Sequence, residues 1–327
     1  MPKHLAVVIP YYQRTAGVLA PTLQAVFAQE SDSRLHVIVV DDESPSPVES
    51  ELAGLDETAR SSITIIRQRN TGSAGARNKG LASLPAEVEF VAMLDSDDHW
   101  HPQHITRALA ALELGYDLYF SDHRREGSGQ TRFVQCGIGL EGHRSIDAAH
   151  DLYCWNGDLF DQVLRQMFVS PSSVVYRRAV FPEIRFNRSV GLTDDMYFVL
   201  ELARGTKRIA FSPSEDVACM EGENVSQVTD WRSNKSLRLI LSLSLGYGTA
   251  LRNFPMTAEQ SAFVRQRLRK YRWDFVITVA AMLRGGVGVN TDHILRFLRQ
   301  DPAALAIVPA VLATEVLRVT KSALRRA

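Results

Sequence analysis

The sequence predicts an α/β fold, a doubly wound and mostly parallel sheet, with a helical appendage at the carboxyl end. Three observations lead there. Short runs rich in β-branched residues recur at 5–9, 35–40, 63–66 and 90–94, each stopping in polar or turn-forming residues, as do strands covered on both faces. Segments with apolar residues at helical spacing lie between them, the alternation expected of βαβ units. Beyond residue 230 only the helical period remains.

In the first unit Val18, Leu19, Leu23, Val26 and Phe27 recur at helical spacing, and Pro21 fits only if it lies in the first turn. Ser46-Pro47 reads as a cap followed by proline at the first helical position. Helices are expected over 74–84 and 103–114, with strands at 90–94 and 118–121. Residues 121–140 turn polar and irregular, with a loop tip at 126–130. Residues 147–167 read as helical, and Trp155 within them reads as core rather than as a platform for a sugar. The expected division is an α/β catalytic domain over 1–229 and a helical region over 230–327, with helices near 236–251, 257–283, 292–299 and 302–324, the last interrupted by Pro309.

In a doubly wound sheet functional groups collect at the carboxyl ends of the strands. Here those ends carry Pro10-Tyr11-Tyr12-Gln13-Arg14, Asp41-Asp42-Glu43-Ser44, the stretch from Asn70 through Gly72 and Gly75 to Arg77 and Asn78, and Asp95-Ser96-Asp97-Asp98. Singly, each has a local explanation: Tyr12 covers the core, Asp42 belongs to a turn, Gly72 and Gly75 adopt positive φ, and the three carboxylates form an acidic turn. Jointly they suit a nucleoside diphosphate, which needs an aromatic beside the base, a carboxylate accepting from it, an arginine for charge and a cation bridging the phosphates. If the chain stays extended past residue 94, Asp95 and Asp97 point the same way and offer hard oxygen ligands to Mn²⁺ or Mg²⁺. His99, His101 and His104 lie close by, but Pro102 and a helix start keep them from converging on zinc. Farther on, Thr193-Asp194-Asp195 precedes the helical pattern of Met196, Val199, Leu200 and Ala203, so that Thr193 or Asp194 can cap that helix.

The order of these motifs, over roughly residues 5–226, resembles the inverting GT-A glycosyltransferases of family 2. The resemblance implies a GT-A fold with a nucleotide-sugar site drawn from Pro10, Tyr12, Arg14, Asp42, Asn70, Gly72, Arg77, Asp95 and Ser96. It implies a Mn²⁺ or Mg²⁺ ion held by Asp95 and Asp97, and Asp195 as the catalytic base with Asp194 as cap or helper. The donor it favours is a UDP-linked sugar, and the acceptor a hydroxyl of a saccharide or lipid-linked molecule in cell-surface polysaccharide or glycolipid assembly. Ser170-Pro171-Ser172-Ser173 and Asn224-Val225-Ser226 resemble further family landmarks. Two departures matter. Many relatives carry a histidine near the second landmark, where this chain has Met220-Glu221, leaving Glu221, Glu223 or waters to complete the ligand set. The Gln-x-x-Arg-Trp signature of processive members is missing, which favours transfer of one residue at a time.

Composition narrows the partners. The 37 basic and 37 acidic residues cancel, so no global field points to nucleic acid. Three cysteines without paired spacing fit a reducing compartment, and the amino terminus reads as the start of a domain without a secretory signal; both suggest the cytoplasm. No apolar run reaches the about 18 residues of a membrane span. The apolar segment 303–319 nonetheless ends among Arg318, Lys321, Arg325 and Arg326, which suits a helix lying on the inner face of an anionic membrane, packed on the catalytic domain, or joining a homo-oligomer. A haloacid dehalogenase phosphatase would need threonine where His99 stands. A sugar nucleotidyltransferase would need a glycine-rich, arginine-bearing loop where Pro10-Tyr11-Tyr12-Gln13 stands. A catalytically silent sugar-nucleotide-binding module is the non-enzymatic alternative, and the two carboxylate centres argue against it.

Overall fold

The structure, a computed structural model, describes residues 2–220 and 230–311. Glu221, Glu223, Asn224 and Ser226, and the basic end of the chain, lie outside the described residues. Strands β1 (His4–Tyr11), β2 (Arg34–Asp41), β3 (Ile63–Arg67) and β4 (Phe90–Met93) pair in parallel in the order β3-β2-β1-β4. The connections carry helices α1 (Leu19–Phe27), α2 (Val48–Glu51), α3 (Glu57–Ser61) and α4 (Ser73–Leu81). Further along come β5 (His99–Trp100), α5 (His104–Glu113), β6 (Leu118–Arg125), α6 (Arg132–Cys136), β7 (Arg144–Asp147), β8 (Leu152–Cys154), α7 (Leu159–Arg165), β9 (Val174–Arg177), α8 (Asp194–Gly205) and β10 (Ile209–Cys219).

The sheet continues from β4 through β9, β6, β10 and β8 to β7, with β5 paired to β10. β9 is antiparallel to both β4 and β6, while β6 and β10 are parallel. The doubly wound, mostly parallel sheet is therefore present, and a reversed strand sits near its middle. Leu5, Val7, Ile9, Val37, Val39, Ala92 and Leu94 are fully buried in one core with Leu19, Leu23 and Val26 of α1, which is why the strands read as continuous apolar runs.

Residues 147–167 are not one helix. They form the end of β7, all of β8 and only the seven residues of α7. Asp151 turns the chain with φ 55°, and the Trp155 N–H donates to Ile209 O at 2.8 Å, so pairing with β10 overrides local helical spacing. Trp155 is 9% exposed and packs against Phe120, Phe168 and Phe211, with ring centroids 5.3–5.6 Å away; it belongs to the core.

Helix capping also departs from expectation. Ser46 does not cap α2; Pro47 occupies the N-cap position. At the start of α1, Val18 provides no side-chain cap, and the first amides of any helix lack intrahelical acceptors. Glu51 of α2 supplies them: its carboxylate, 1% exposed, accepts from Gly17 N at 2.7 Å, Leu19 N at 2.9 Å and Ala20 N at 3.0 Å. A carboxylate at a helix amino terminus is also favoured by the helix dipole.

The chain divides into two compact units, residues 1–188 with 198–223 and residues 189–197 with 224–327. In the second, α9 (Asn234–Asn253), α10 (Ala258–Arg284) and α11 (Thr291–Gln300) pack around Leu237, Leu241, Phe275, Met282, Phe297 and Ala304. Phe275 and Phe297 stack at 3.9 Å, and Arg272 makes a two-pronged ion pair with Asp301 at 2.7 and 2.9 Å. Thr257 and Gln260 close a capping box at the start of α10, which accounts for its clean beginning. Of the apolar segment 303–319, residues 304–311 are helical and the rest beyond 311 lies outside the described residues. Among the described residues no helix is long and apolar enough to cross a membrane.

Glu51→Ala leaves three amides without their acceptor and should cost about 2–4 kcal/mol. Glu51→Gln keeps an acceptor oxygen and should lose less. Chemical denaturation of the three proteins tests this; wild-type stability for Glu51→Ala would refute the capping role.

Candidate active site

The first two strands end in loops that are tied to one another. Tyr11, fully buried, donates its hydroxyl to Ser46 O at 3.1 Å. Ser44 Oγ accepts from Gln13 N and donates to Gln13 O, each at 2.9 Å, while Asp41 Oδ1 accepts from Ser44 N at 2.8 Å. Glu43 between them has φ 60°, an unusual conformation for a residue other than glycine and of the kind that collects at ligand sites. Pro10 and Tyr12 are half-buried and Arg14 is exposed.

Asp42 sits at the centre of this rim. It is 2% exposed, and its carboxylate accepts from Gln68 Nε2 at 2.8 Å, Thr71 N at 2.9 Å and Gly72 N at 2.8 Å. Asn70, itself exposed, donates its N–H to Glu43 at 3.2 Å. Asp42 and Glu43, just past the end of β2, thus hold the loop that leads into α4. Gly72 has φ +81°, as expected for a loop glycine, but Gly75 has a different reason to be glycine. It lies within α4, where a Cβ would stand 2.0 Å from Thr71 Oγ1 and 2.7 Å from Thr71 Cβ. Close approach of the loop, rather than a positive φ, requires it.

Arg77 and Asn78 follow on α4. Arg77, 3% exposed, donates to Asp95 Oδ1 at 2.6 Å and lies over the Phe186 ring at 4.8 Å. Asn78 clamps the Phe186 backbone, donating to its carbonyl at 2.8 Å and accepting its N–H at 2.7 Å. A buried guanidinium needs both a carboxylate and a flat partner, and Asp95 and Phe186 provide them.

The chain does not stay extended through Asp97, so of the two readings the acidic turn is the one found. β4 ends at Met93, and Asp98 N donates to Asp95 O at 3.1 Å, closing a tight turn. Three carboxylates are therefore gathered by a turn instead of alternating along a strand. Ser172, fully buried, organises it: its Oγ accepts from Asp95 N at 3.1 Å and donates to Asp98 Oδ2 at 2.5 Å, and its carbonyl accepts from Trp100 Nε1 at 2.7 Å. Met220 N donates to Asp98 Oδ1 at 3.2 Å. Ser96 is buried and accepts from Gln13 Nε2 at 3.1 Å, joining the turn to the β1 rim. Burial, and then the charges of Asp95 and Asp97, push the Asp98 carboxyl well above the usual carboxylate range. Asp95 and Asp97 are half-buried. Oxygen donors gathered on a turn, with like charges crowded together, are the kind of set that hard divalent cations take.

Asp194 and Asp195 open α8, within the second compact unit. Asp194 is 5% exposed and Asp195 half-buried. Thr193 Oγ1 lies 2.9 Å from Val190 O and 3.1 Å from Ser242 O, anchoring the segment to α9.

Several residues of the rim were given no role of their own by the sequence. Gln13 and Gln68 act through long-range hydrogen bonds, and Ser172 was visible only as part of a landmark. His104, near the acidic turn in sequence, is fully buried against Trp100 and Tyr119.

Comparison with known proteins follows the same lines. Residues 6–184 match the sequence profile described as glycosyl transferase family 2. The chain is 35% identical over 240 residues to the succinoglycan biosynthesis protein ExoW of Rhizobium meliloti (strain 1021), covering 72% of this chain and 74% of that protein. It is 27% identical over 200 residues to the amylovoran biosynthesis glycosyltransferase AmsB of Erwinia amylovora, covering 56% of this chain and 58% of that one. Among solved structures, S. aureus TarS 1–349 in complex with UDP-GlcNAc superposes with a TM-score of 0.58 at 19% identity, over 95% of this chain and 83% of that one. The mannosyltransferase PcManGT of Pyrobaculum calidifontis in complex with GDP-Man and Mn²⁺ gives 0.55 at 17% identity, over 98% and 85%. At such identities these two show the shared fold.

Gly75→Ala forces Thr71 away from its place and should loosen the hold of Asp42 on the loop, at about 1–3 kcal/mol. Hydrogen exchange at the Thr71 and Gly72 amides should quicken with it. Unchanged protection of both amides would show that the loop does not depend on this close approach.

Proposed function

Because the chain belongs to glycosyl transferase family 2, we propose that it transfers a sugar, with inversion, from a nucleoside diphosphate sugar to a hydroxyl of a saccharide or lipid-linked acceptor. The observation that carries this reading is the acidic turn pinned by Ser172 at the end of β4, in the same sheet as the rim held by Asp42. The names of ExoW and AmsB support a place in polysaccharide assembly. Three unpaired cysteines are in keeping with a cytoplasmic setting.

We assign the donor to the uridine series. Tyr12 provides the aromatic face beside the base. The resemblance gives Asp42 to the base as well; its carboxylate, 2% exposed, already accepts from Gln68, Thr71 and Gly72, so it shapes the base site by holding that loop. Arg77 neutralises Asp95 and fixes its direction toward the sugar side. TarS was captured with UDP-GlcNAc and PcManGT with GDP-Man, so the fold alone admits either base and the rim residues must choose. Asp97, with Asp95, would hold Mn²⁺ or Mg²⁺, which when bound neutralises charge on the departing diphosphate. Asp195 takes the proton of the acceptor hydroxyl as its oxygen attacks the anomeric carbon from the face opposite the leaving group. Asp194 caps α8.

Calorimetry with UDP and GDP, with Mn²⁺ and with chelator, tests the donor site. UDP should bind more tightly than GDP, and Asp97→Ala should abolish the enhancement by Mn²⁺ while the fold persists. Equal affinity with chelator and with Mn²⁺, or tighter GDP binding, would overturn the corresponding assignment. Once the donor is known, the anomeric configuration of the product, read by NMR, tests inversion.

Asp195→Asn should leave nucleotide affinity intact and slow single-turnover transfer by about 10²–10⁴. Asp194→Asn should cost much less, since asparagine caps a helix nearly as well as aspartate. Near-wild-type transfer by Asp195→Asn would remove it from the chemistry, and a severe loss confined to Asp194→Asn would move the base one residue earlier.

A further inference from the structure

At the amino-terminal ends of the strands, away from the rim at their carboxyl ends, three side chains that play no part in the proposed transfer come together. His4 opens β1 and His36 lies near the start of β2. In the parallel register Ala6 pairs with His36, and residues two apart on a strand share a face, so His4 and His36 stand diagonally on one face of adjacent strands. Their rings stack at 5.2 Å, and His4 Nδ1 lies 3.0 Å from His36 Nε2. Glu87, in the loop before β4, completes the group, and one ligand atom from each residue lies within 4.8 Å of the others. The loop is fixed to β1 by Glu89 N donating to His4 O at 3.0 Å, and by the Lys3–Glu89 ion pair at 3.5 Å.

We propose that His4, His36 and Glu87 form a site for a zinc-class divalent cation, separate from the acidic turn. Two imidazole nitrogens and a carboxylate oxygen are the donor set that suits Zn²⁺, with solvent free to supply the fourth ligand. Zinc–nitrogen bonds of about 2.0–2.1 Å in tetrahedral geometry place two nitrogens about 3.3 Å apart, a few tenths of an ångström beyond the present separation. A cation binding between the facing nitrogens takes the place of any proton held there. His4 and His36 are half-buried, which limits their freedom, whereas Glu87 is exposed and can swing inward. Arg34, also facing this group, opposes a cation, and the Glu87 carboxylate offsets it.

Bound there, the cation would tie together the amino-terminal ends of β2, β1 and β4, neighbours in the sheet. The 8 residues of β1 separate His4 from Tyr11, roughly 23 Å at about 3.3 Å per residue, so the effect is on stability and not on the reacting groups.

The test uses the full-length, untagged, chelator-stripped chain in an Asp97→Asn background, which weakens the acidic turn as a competing site. Titration with ZnCl₂ should give one zinc per chain and raise the thermal midpoint. His4→Gln, His36→Gln and Glu87→Gln should each weaken zinc binding by about tenfold or more and remove the thermal gain, with UDP affinity of the otherwise wild-type chain unchanged. Glu87 is exposed, so its variant keeps the assignment testable should either histidine variant fold poorly. Absence of stoichiometric zinc, or unchanged affinity in any folded variant of the three, overturns the site.

Discussion

The hydrogen bond from the Ser172 hydroxyl to Asp98, 2.5 Å long, is the contact on which the arrangement of the active site depends. β4 ends two residues before Asp95, and nothing in a strand end by itself fixes the four consecutive polar side chains of Asp95-Ser96-Asp97-Asp98. Ser172 receives the Asp95 amide, donates to Asp98 and offers its carbonyl to Trp100, so one buried residue sets the turn from both ends. Its position is in turn secured by the 3-10 turn at Pro171–Ser173, which leads directly into β9 between β4 and β6. The reversed strand near the middle of the sheet is thus what brings the organising serine to the acidic turn.

Charge follows from that geometry. Asp98 is buried and bonded on both oxygens, a member of the scaffold. Asp95 is partly committed to Arg77, whose own burial over Phe186 makes a lone guanidinium there costly. Asp42 is committed to the loop 68–72. Much of the polar framework is therefore satisfied within the protein, and Tyr12, Asp95 and Asp97 stand half-buried at its edge. A framework rigid before a ligand arrives loses less on binding it.

The two halves of the candidate site were read with different success, and the reason is the range of the interactions. Proline, aromatic and acidic residues at strand ends were legible, because the carboxyl ends of parallel strands follow from local hydrophobic pattern plus topology. The role of Asp98 as a holder of the turn was open in the sequence and is decided by Ser172, 74 residues away. Gly75 looked like a loop residue and proved to be a point of contact, since the Thr71 side chain that excludes a Cβ is brought back against it by folding.

The sequence by itself determined the alternating strands and helices, the parallel order of the first half and the rim on which Asp42, Arg77, Asp95 and Asp97 stand, because hydrophobic period and turn residues act over a few positions. Tertiary structure alone decided the rest. It capped α1 with Glu51 from another helix, drew 147–154 into the sheet where spacing suggested a helix, bent Asp95–Asp98 into a turn and set His4 beside His36. Each of these depends on a donor and an acceptor, or two edges of a sheet, that meet only after the chain has folded, and spacing along the sequence carries no record of such partners.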